Sequence, residues 1–345
     1  MPKLSPKKRK KVFIGPLDSG LNYDLKIALE KLGYEVTTLN FVTNRFNFKN
    51  DITLGINGVG YLQAVWLVLR NFFQSFSYDI YSFRFGQSLL PWNLDLPIWK
   101  LFGKKVLMRF DGDDIRQSRG FQKTKYNRIF IKNSTLPFAR DFKNILRYHW
   151  VKLWADKITV STPDLIQFAR NAKFLPNLVP SGERPAANKH RKTKILTIFH
   201  APTDRKIKGT KYIIEAVNRL KKEKFPVDLI IYENRPHEKI GSYYQKADLV
   251  IDQLLMGAMS VVSLEGMRHG KPVICYIRDD LRKYYPKELP VISATSDNIY
   301  EVLRALVSEK IYLAKLGKKS ALYAKKYHEP AVIAKAWDQI FQGLY

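Results

Sequence analysis

The chain has 345 residues, 46% of them apolar, and a formal net charge of +28. That length supports two domains with cores of their own, and a lone cysteine, Cys275, excludes a disulfide framework or a cysteine zinc site. A charge of this size attracts polyanions: nucleic acid, anionic lipid surfaces or phosphorylated substrates.

The basic residues run along the whole chain, with one cluster, "KKRKK" at 7–11, that reads as a tail ahead of the first strand. It leads into "VFIG", far too short for the apolar core of a signal peptide. The longest apolar run, 59–73, is broken by Gln63 and Arg70 and is too short to cross a bilayer. The expected protein is soluble or peripheral, in the cytoplasm or on the inner face of the membrane, and its single cysteine fits a reducing compartment.

"KKVFIG" (10–15) predicts a buried strand ending in glycine. A helix over 22–36 follows, with Leu25, Ala28, Leu29 and Leu32 at helical spacing and Gly33 as its stop. "EVTTLNF" is the next strand. "GYLQAVWLVLRNFFQSF" (60–76) predicts a helix with a wide apolar face; it reads as a core helix over the sheet, and docking on a membrane is its other reading. Strands at 79–85 and 104–110 flank the helix-like "LDLPIWKLFGK", and 156–162 supplies a further strand. This alternation predicts a parallel sheet with helices on both faces.

Around 175–193 proline, glycine, asparagine and charge replace any period, which marks a linker. Strands at 194–200, 227–233, 248–253 and 272–277 then alternate with helices at 210–224, 237–247 and 260–270. The expected organisation is a first domain over 1–178, a linker over 179–193, a second domain over 194–327, and an amphipathic helix over 328–345 that returns to the first domain. Two doubly wound, Rossmann-like α/β domains would face each other across a cleft, where such folds bind ligands.

Two stretches carry chemistry. In "FHAPTDRKIKGTKYIIEA" (199–216) a strand ends at His200, a loop carries Arg205, Lys206 and Lys208, and Gly209 and Thr210 open a helix with Thr210 as N-cap. Cations before a helix N-terminus suit a phosphate; a solvated basic loop is the alternative. In "DLVIDQLLMGAMSVVSLEGMRHG" (248–270) a strand ends at a loop with Gly257, a helix starts near Ser260, and Glu265 lies one turn in, four residues after Val261. A carboxylate there suits a ribose diol, or is simply favoured by the helix dipole.

The ordered set "KGT", "ADLVID" and "SLEGMRHGKPVI" resembles the retaining glycosyltransferases of family 4, which have the GT-B fold. The likeness covers 195–280 well. It is looser over 88–116 ("SLLPWNLDLPIWKLFGKKVLMRFDGDDIR") and 155–179. The resemblance implies a nucleoside diphosphate-sugar donor held by His200, Arg205, Lys208, Gly209, the loop Gly257, Ala258, Met259 and Ser260, and Glu265 on the ribose. It implies an acceptor, glycan or lipid-linked, near Gly15, Asp18, Asp114 and Arg116. Lys208 and Arg205 would neutralise the leaving diphosphate, and Asp111 would orient the acceptor hydroxyl or act as a base; its other reading is a turn acid. A front-face transfer in this fold needs no metal and no cofactor.

The chain departs from the family pattern at two positions. Gly257 stands where the first of the paired glutamates lies, and Asp111 stands where a histidine is common. "DGDD" (111–114) also contains Asp-x-Asp, a metal pattern of a different glycosyltransferase fold. No histidine pair has metal spacing on a helix, and the aromatics sit within apolar strands and helices, which argues against specific nucleic acid binding. The rival reading is a non-catalytic GT-B module, acting as a partner subunit or binding polyanions.

Overall fold

The computed structural model describes residues 9–17, 20–43, 48–118, 125–133, 138–180, 194–235 and 239–345. Asp18, the first part of the basic cluster and residues 181–193 of the expected linker lie outside the described residues.

Runs rich in β-branched and aromatic residues build the first sheet. Its strands are β1 (Lys11–Gly15), β2 (Glu35–Asn40), β3 (Ile52–Thr53), β4 (Ile80–Arg84), β5 (Lys105–Phe110), β6 (Lys157–Val160) and β7 (Lys173–Phe174), in the order β3-β2-β1-β4-β5-β6-β7. All pairs are parallel, with Val12 opposite Val36 and Phe13 opposite Tyr81. The central strands are buried on both faces, as a doubly covered parallel sheet requires.

Strand alternation assigns the two faces. Phe13 and Phe83 point into one core with Phe72, Trp99 and Val151, contributed by α2 (Tyr61–Gln74), α3 (Leu96–Leu101) and α5 (Phe138–Trp154). Val12 and Ile14 point into the other, with Leu25 and Leu29 of α1 (Asn22–Glu30) and Trp337 and Phe341 of α12 (Pro330–Gln342). The C-terminal helix thus returns to the first sheet, where Tyr34 donates to Asp338 at 2.5 Å. Two helices, α4 (Lys125–Asn133) and α5, occupy a stretch that the sequence pattern leaves unassigned.

The second sheet has the strands β8 (Leu196–His200), β9 (Val227–Ile231), β10 (Leu249–Ile251), β11 (Val273–Ile274) and β12 (Val291–Ile292), all parallel, in the order β12-β11-β10-β8-β9. Around it lie α6 (Arg205–Lys208), α7 (Thr210–Lys222), α8 (Ile240–Lys246), α9 (Val261–Arg268), α10 (Ile299–Leu306) and α11 (Lys310–His328). α11 runs to the residue where the last helix is expected to begin. Proline cannot continue a helix bonded to the preceding turn, so the chain turns at Glu329, and Pro330 opens α12.

The two halves touch directly. Leu255 and Met256 of the second half sit in the core of the first. Lys125 pairs with Asp297 at 2.5 Å, and Val179 donates its amide to the His328 carbonyl at 2.8 Å.

One expectation fails. α2 is not a core helix: of its 14 residues only Phe72 is buried. Phe72 packs against Trp99 and Phe76, Val68 is partly buried against the same core, and Tyr61, Leu62, Val65, Trp66, Leu69 and Phe73 are exposed among the described residues. Among the described residues no helix is long and apolar enough to cross a membrane.

Candidate active site

A cavity of about 520 Å³ opens between the carboxyl ends of the two sheets. Residues just beyond β1, β2 and β4 form one wall: Leu21, Val42, Phe48 and Phe85. Residues beyond β8 and β9, 201–203 and 232–235, form the other with Lys208 and the start of α9. Every contributor follows a strand end, which is where a doubly wound sheet gathers its ligand-binding loops.

Lys208 closes α6, whose N-cap Asp204 accepts from the amides of Lys206 and Ile207 at 2.7 and 3.0 Å. Gly209, at φ +77°, turns the chain directly into α7, a conformation that L side chains rarely adopt. The Lys208 side chain, 6% exposed, donates to Asp252 Oδ1 at 2.8 Å and to Ser260 Oγ at 2.7 Å. Asp252 also accepts from the Ser260 amide and from Ser263 Oγ, each at 2.7 Å. Burial opposes its charge, but Lys208 and the two serine hydroxyls outweigh burial and hold the carboxyl below its ordinary range. Asp252 was not singled out in the sequence; the legible signal is a lone acid at the end of a buried strand, before a glycine loop.

Ser260 caps α9 by accepting from the Val262 amide at 3.3 Å, so the helix N-terminus opens on the cavity beside Lys208. A cation and a helix start side by side make an anion-binding end. Glu265, one turn in, lines the same cavity. Its Oε2 accepts from Tyr244 Oη at 2.7 Å, and the Tyr244 ring stacks on His269 at 5.0 Å. Lys208, Ser260 and Glu265 are therefore brought together.

The other candidates stand elsewhere. His200 is fully buried; its Nδ1 meets the Ile251 carbonyl and its Nε2 the Thr210 hydroxyl, both at 2.8 Å. With both ring nitrogens engaged, it is a packing and hydrogen-bonding residue behind the cavity wall. Thr210 is correspondingly not the N-cap; Gly209 precedes the helix with no side-chain cap. Arg205 points to solvent, 53% exposed, in a bidentate pair with Glu233 at 2.7 Å, and does not line the cavity.

Gly257, Ala258 and Met259 form a buried loop under the cavity rather than a cup around it. A Cβ on Gly257, whose φ is +83°, would lie 2.4 Å from the Arg278 side chain, so an acid has no room there. The Met259 amide donates to Tyr285 Oη at 3.2 Å. A Cβ on Gly15 would meet the Leu39 carbonyl oxygen at 2.5 Å; this glycine allows close packing of β1 on β2. Gly20, Leu21, Val42, Phe48 and Phe85 are cavity residues of the first half that sequence reasoning missed.

Asp111 is corrected most. Its carboxylate receives Arg84 at 2.9 and 3.0 Å and Arg109 at 3.1 Å. Burial works against its charge, but the two guanidiniums prevail and hold it below the ordinary range, which makes it a poor base. Asp114 accepts from the Asp111 and Gly112 amides; burial, and then the Asp111 charge, push its carboxyl up to about 7. Arg116 pairs with Asp164 at 3.0 Å and Asp113 at 3.2 Å. These residues form a buried polar network beneath the loop, and the Asp-x-Asp pattern does not converge, since Asp111 and Asp113 face different arginines. Among the described residues no group of three or more His, Cys, Asp or Glu side chains is placed to hold a metal ion.

Burial depresses His200, His269 and His328 to about 4. The unfolded chain then binds more protons between pH 4 and 6.5, so these groups make stability rise with pH across that window. Asp114 opposes them over the same range, being raised in the folded state. The expected net result is a lower urea midpoint at pH 5 than at pH 7, with His200 and His328 each contributing roughly 2 kcal/mol over that interval. A midpoint that does not change in Asp114→Asn, where the opposing carboxyl is removed, would mean that these rings are solvated.

No protein-family model matches this chain, and no curated protein matches it. Solved structures do. Sucrose-phosphate synthase from Thermosynechococcus elongatus superposes with a TM-score of 0.65 at 13% identity, covering 98% of this chain and 99% of that one. HepE from Anabaena, in complex with UDP and glucose, gives 0.64 at 12% identity over 97% and 100%. MnaA from S. aureus, in a co-structure with UDP, gives 0.56 at 12% over 98% of both chains. With its two parallel sheets matched over nearly the whole length of these structures, the chain has the GT-B fold.

Proposed function

We propose that this chain is a glycosyltransferase similar to the retaining enzymes of family 4. It would move a sugar from a nucleoside diphosphate-sugar to a hydroxyl of a glycan or lipid-linked acceptor, with retention, in the cytoplasm or at the inner membrane face. The observation that carries this reading is that Lys208, the N-terminus of α9 and Glu265 line one cavity between the sheets. Lys208 and the helix start stabilise the charge that develops on a leaving diphosphate. Glu265, oriented by Tyr244, accepts from the ribose hydroxyls. The departing phosphate, rather than Asp111, takes the acceptor proton, and no metal or cofactor is assigned a step. Asp111 holds the arginines beneath the loop.

Thermal unfolding with a panel of nucleoside diphosphates at moderate salt tests the site. UDP comes first, because HepE and MnaA carry it. At a hundredfold excess over Kd the expected stabilisation is about 2.7 kcal/mol, a rise of several degrees. It should be lost in Glu265→Ala. Equal shifts with every diphosphate, abolished by salt, would reduce the site to a basic surface. No shift with any of them would favour the non-catalytic module, for which the exclusion of an acid at Gly257 by Arg278 speaks.

A further inference from the structure

The α2, α3 and α5 helices cover one face of the first sheet, and their outer side is apolar. Tyr61, Leu62, Phe73, Trp92, Leu101 and Leu153 are between 68 and 84% exposed. Most of the large apolar side chains exposed among the described residues lie on this one layer. Contacts join its parts: Phe72 packs against both Phe73 and Trp99 and Phe76 packs against Phe102, which ties α2 to α3, and Lys143 of α5 sits 5.2 Å from the Trp92 ring. A monomer in water rarely leaves a contiguous apolar patch of this kind uncovered.

The charges around the patch select what covers it. α2 and α3 contain no acidic residue. α5 contains one, Asp141, which is 4% exposed and accepts from Ser118. The outward charged groups are cations: Arg70, stacked 5.2 Å from Trp66, with Arg140, Lys143 and Lys152. A second copy would bring its own +28 against this one, whereas an anionic bilayer complements it. Aromatic rings beside cations suit the headgroup level, and fourteen residues of helix, about 21 Å, can lie in that plane but not span it.

We propose that this layer docks on an anionic bilayer, with α2 buried lengthwise at the headgroup boundary. α2 starts after β3 at the edge of the sheet that bounds the cavity, so its most exposed end, Tyr61 and Leu62, sits on the cavity side. The membrane would lie beside the cleft mouth. Delivery of a lipid-linked hydroxyl to the cavity rests on the glycosyltransferase reading; the docking itself does not.

The test is co-sedimentation of the full chain with vesicles of phosphatidylglycerol and phosphatidylcholine, against vesicles of phosphatidylcholine alone. The wild type should bind the anionic vesicles and keep part of its binding at salt that screens surface charge. Leu62→Glu with Trp66→Glu should weaken binding at least about tenfold, with the unfolding midpoint unchanged; Leu62→Ser replaces the pair if it does not fold. Lys315→Glu with Lys318→Glu, on α11 away from this layer, should have less effect. Equal binding by the apolar variant, or equal loss in the α11 variant, would overturn the proposal. So would a wild-type dimer that the apolar variant dissolves while neither binds vesicles. Loss of vesicle binding with the diphosphate thermal shift intact would keep the donor site and this surface separate.

Discussion

Lys208→Met is expected to weaken both donor handling and the fold. The cation supplies charge at the diphosphate end of the cavity, and removing one such donor costs about 10²–10³ in turnover where it has been measured in other enzymes. The same change leaves Asp252, 1% exposed, without its counter-ion. Removing one partner of a buried pair costs about 3–5 kcal/mol, because the remaining charge stays desolvated. The double variant with Asp252→Asn separates the two effects. It should regain much of the stability in urea unfolding and none of the diphosphate affinity in calorimetric titration. Recovery of both would show that Lys208 serves only to hold Asp252 and Ser260.

Asp111→Ala should be a folding defect first. Arg84 and Arg109 are each 2% exposed and share this one carboxylate. Without it, two guanidiniums face each other in the core, and the expected loss is at least about 3–5 kcal/mol. Asp114, raised partly by the Asp111 charge, would also ionise at lower pH, so the pH dependence of stability between pH 4 and 7 would steepen. Diphosphate binding in the fraction that folds should be unchanged. A stable Asp111→Ala protein with lost turnover would return Asp111 to the reacting centre.

Much of the fold is legible in the sequence. Largely apolar runs such as "KVFIG" and "LTIFH", alternating with helical periods, specify parallel strands covered on both faces, because only such a sheet buries nearly every position of a strand. The place of Lys208, Ser260 and Glu265 at one edge follows from the same alternation, whereas the roles expected of them come from the family resemblance. These residues follow strand ends at the turn into a helix, and the topology gathers those turns at one edge.

The rest depended on contacts distant in the chain. His200 ends the expected strand, Arg205 opens the short helix α6 where a loop is expected, and Asp111 stands in the expected turn, but each side chain is engaged by another residue: Thr210, Glu233, and the Arg84–Arg109 pair. A sequence pattern reports a residue's place along an element and says nothing of which groups converge on it from other elements. α2 shows the same limit for apolar residues. Its helical period follows from local spacing, whereas its exposure depends on whether a second layer lies over it, and among the described residues only Phe72 is fully buried. Local sequence determined strand, helix and the edge where the site lies, because those depend on neighbours a few residues apart. Tertiary packing decided which polar groups face the cavity and which apolar face is left for another surface, because both depend on what the rest of the chain brings alongside.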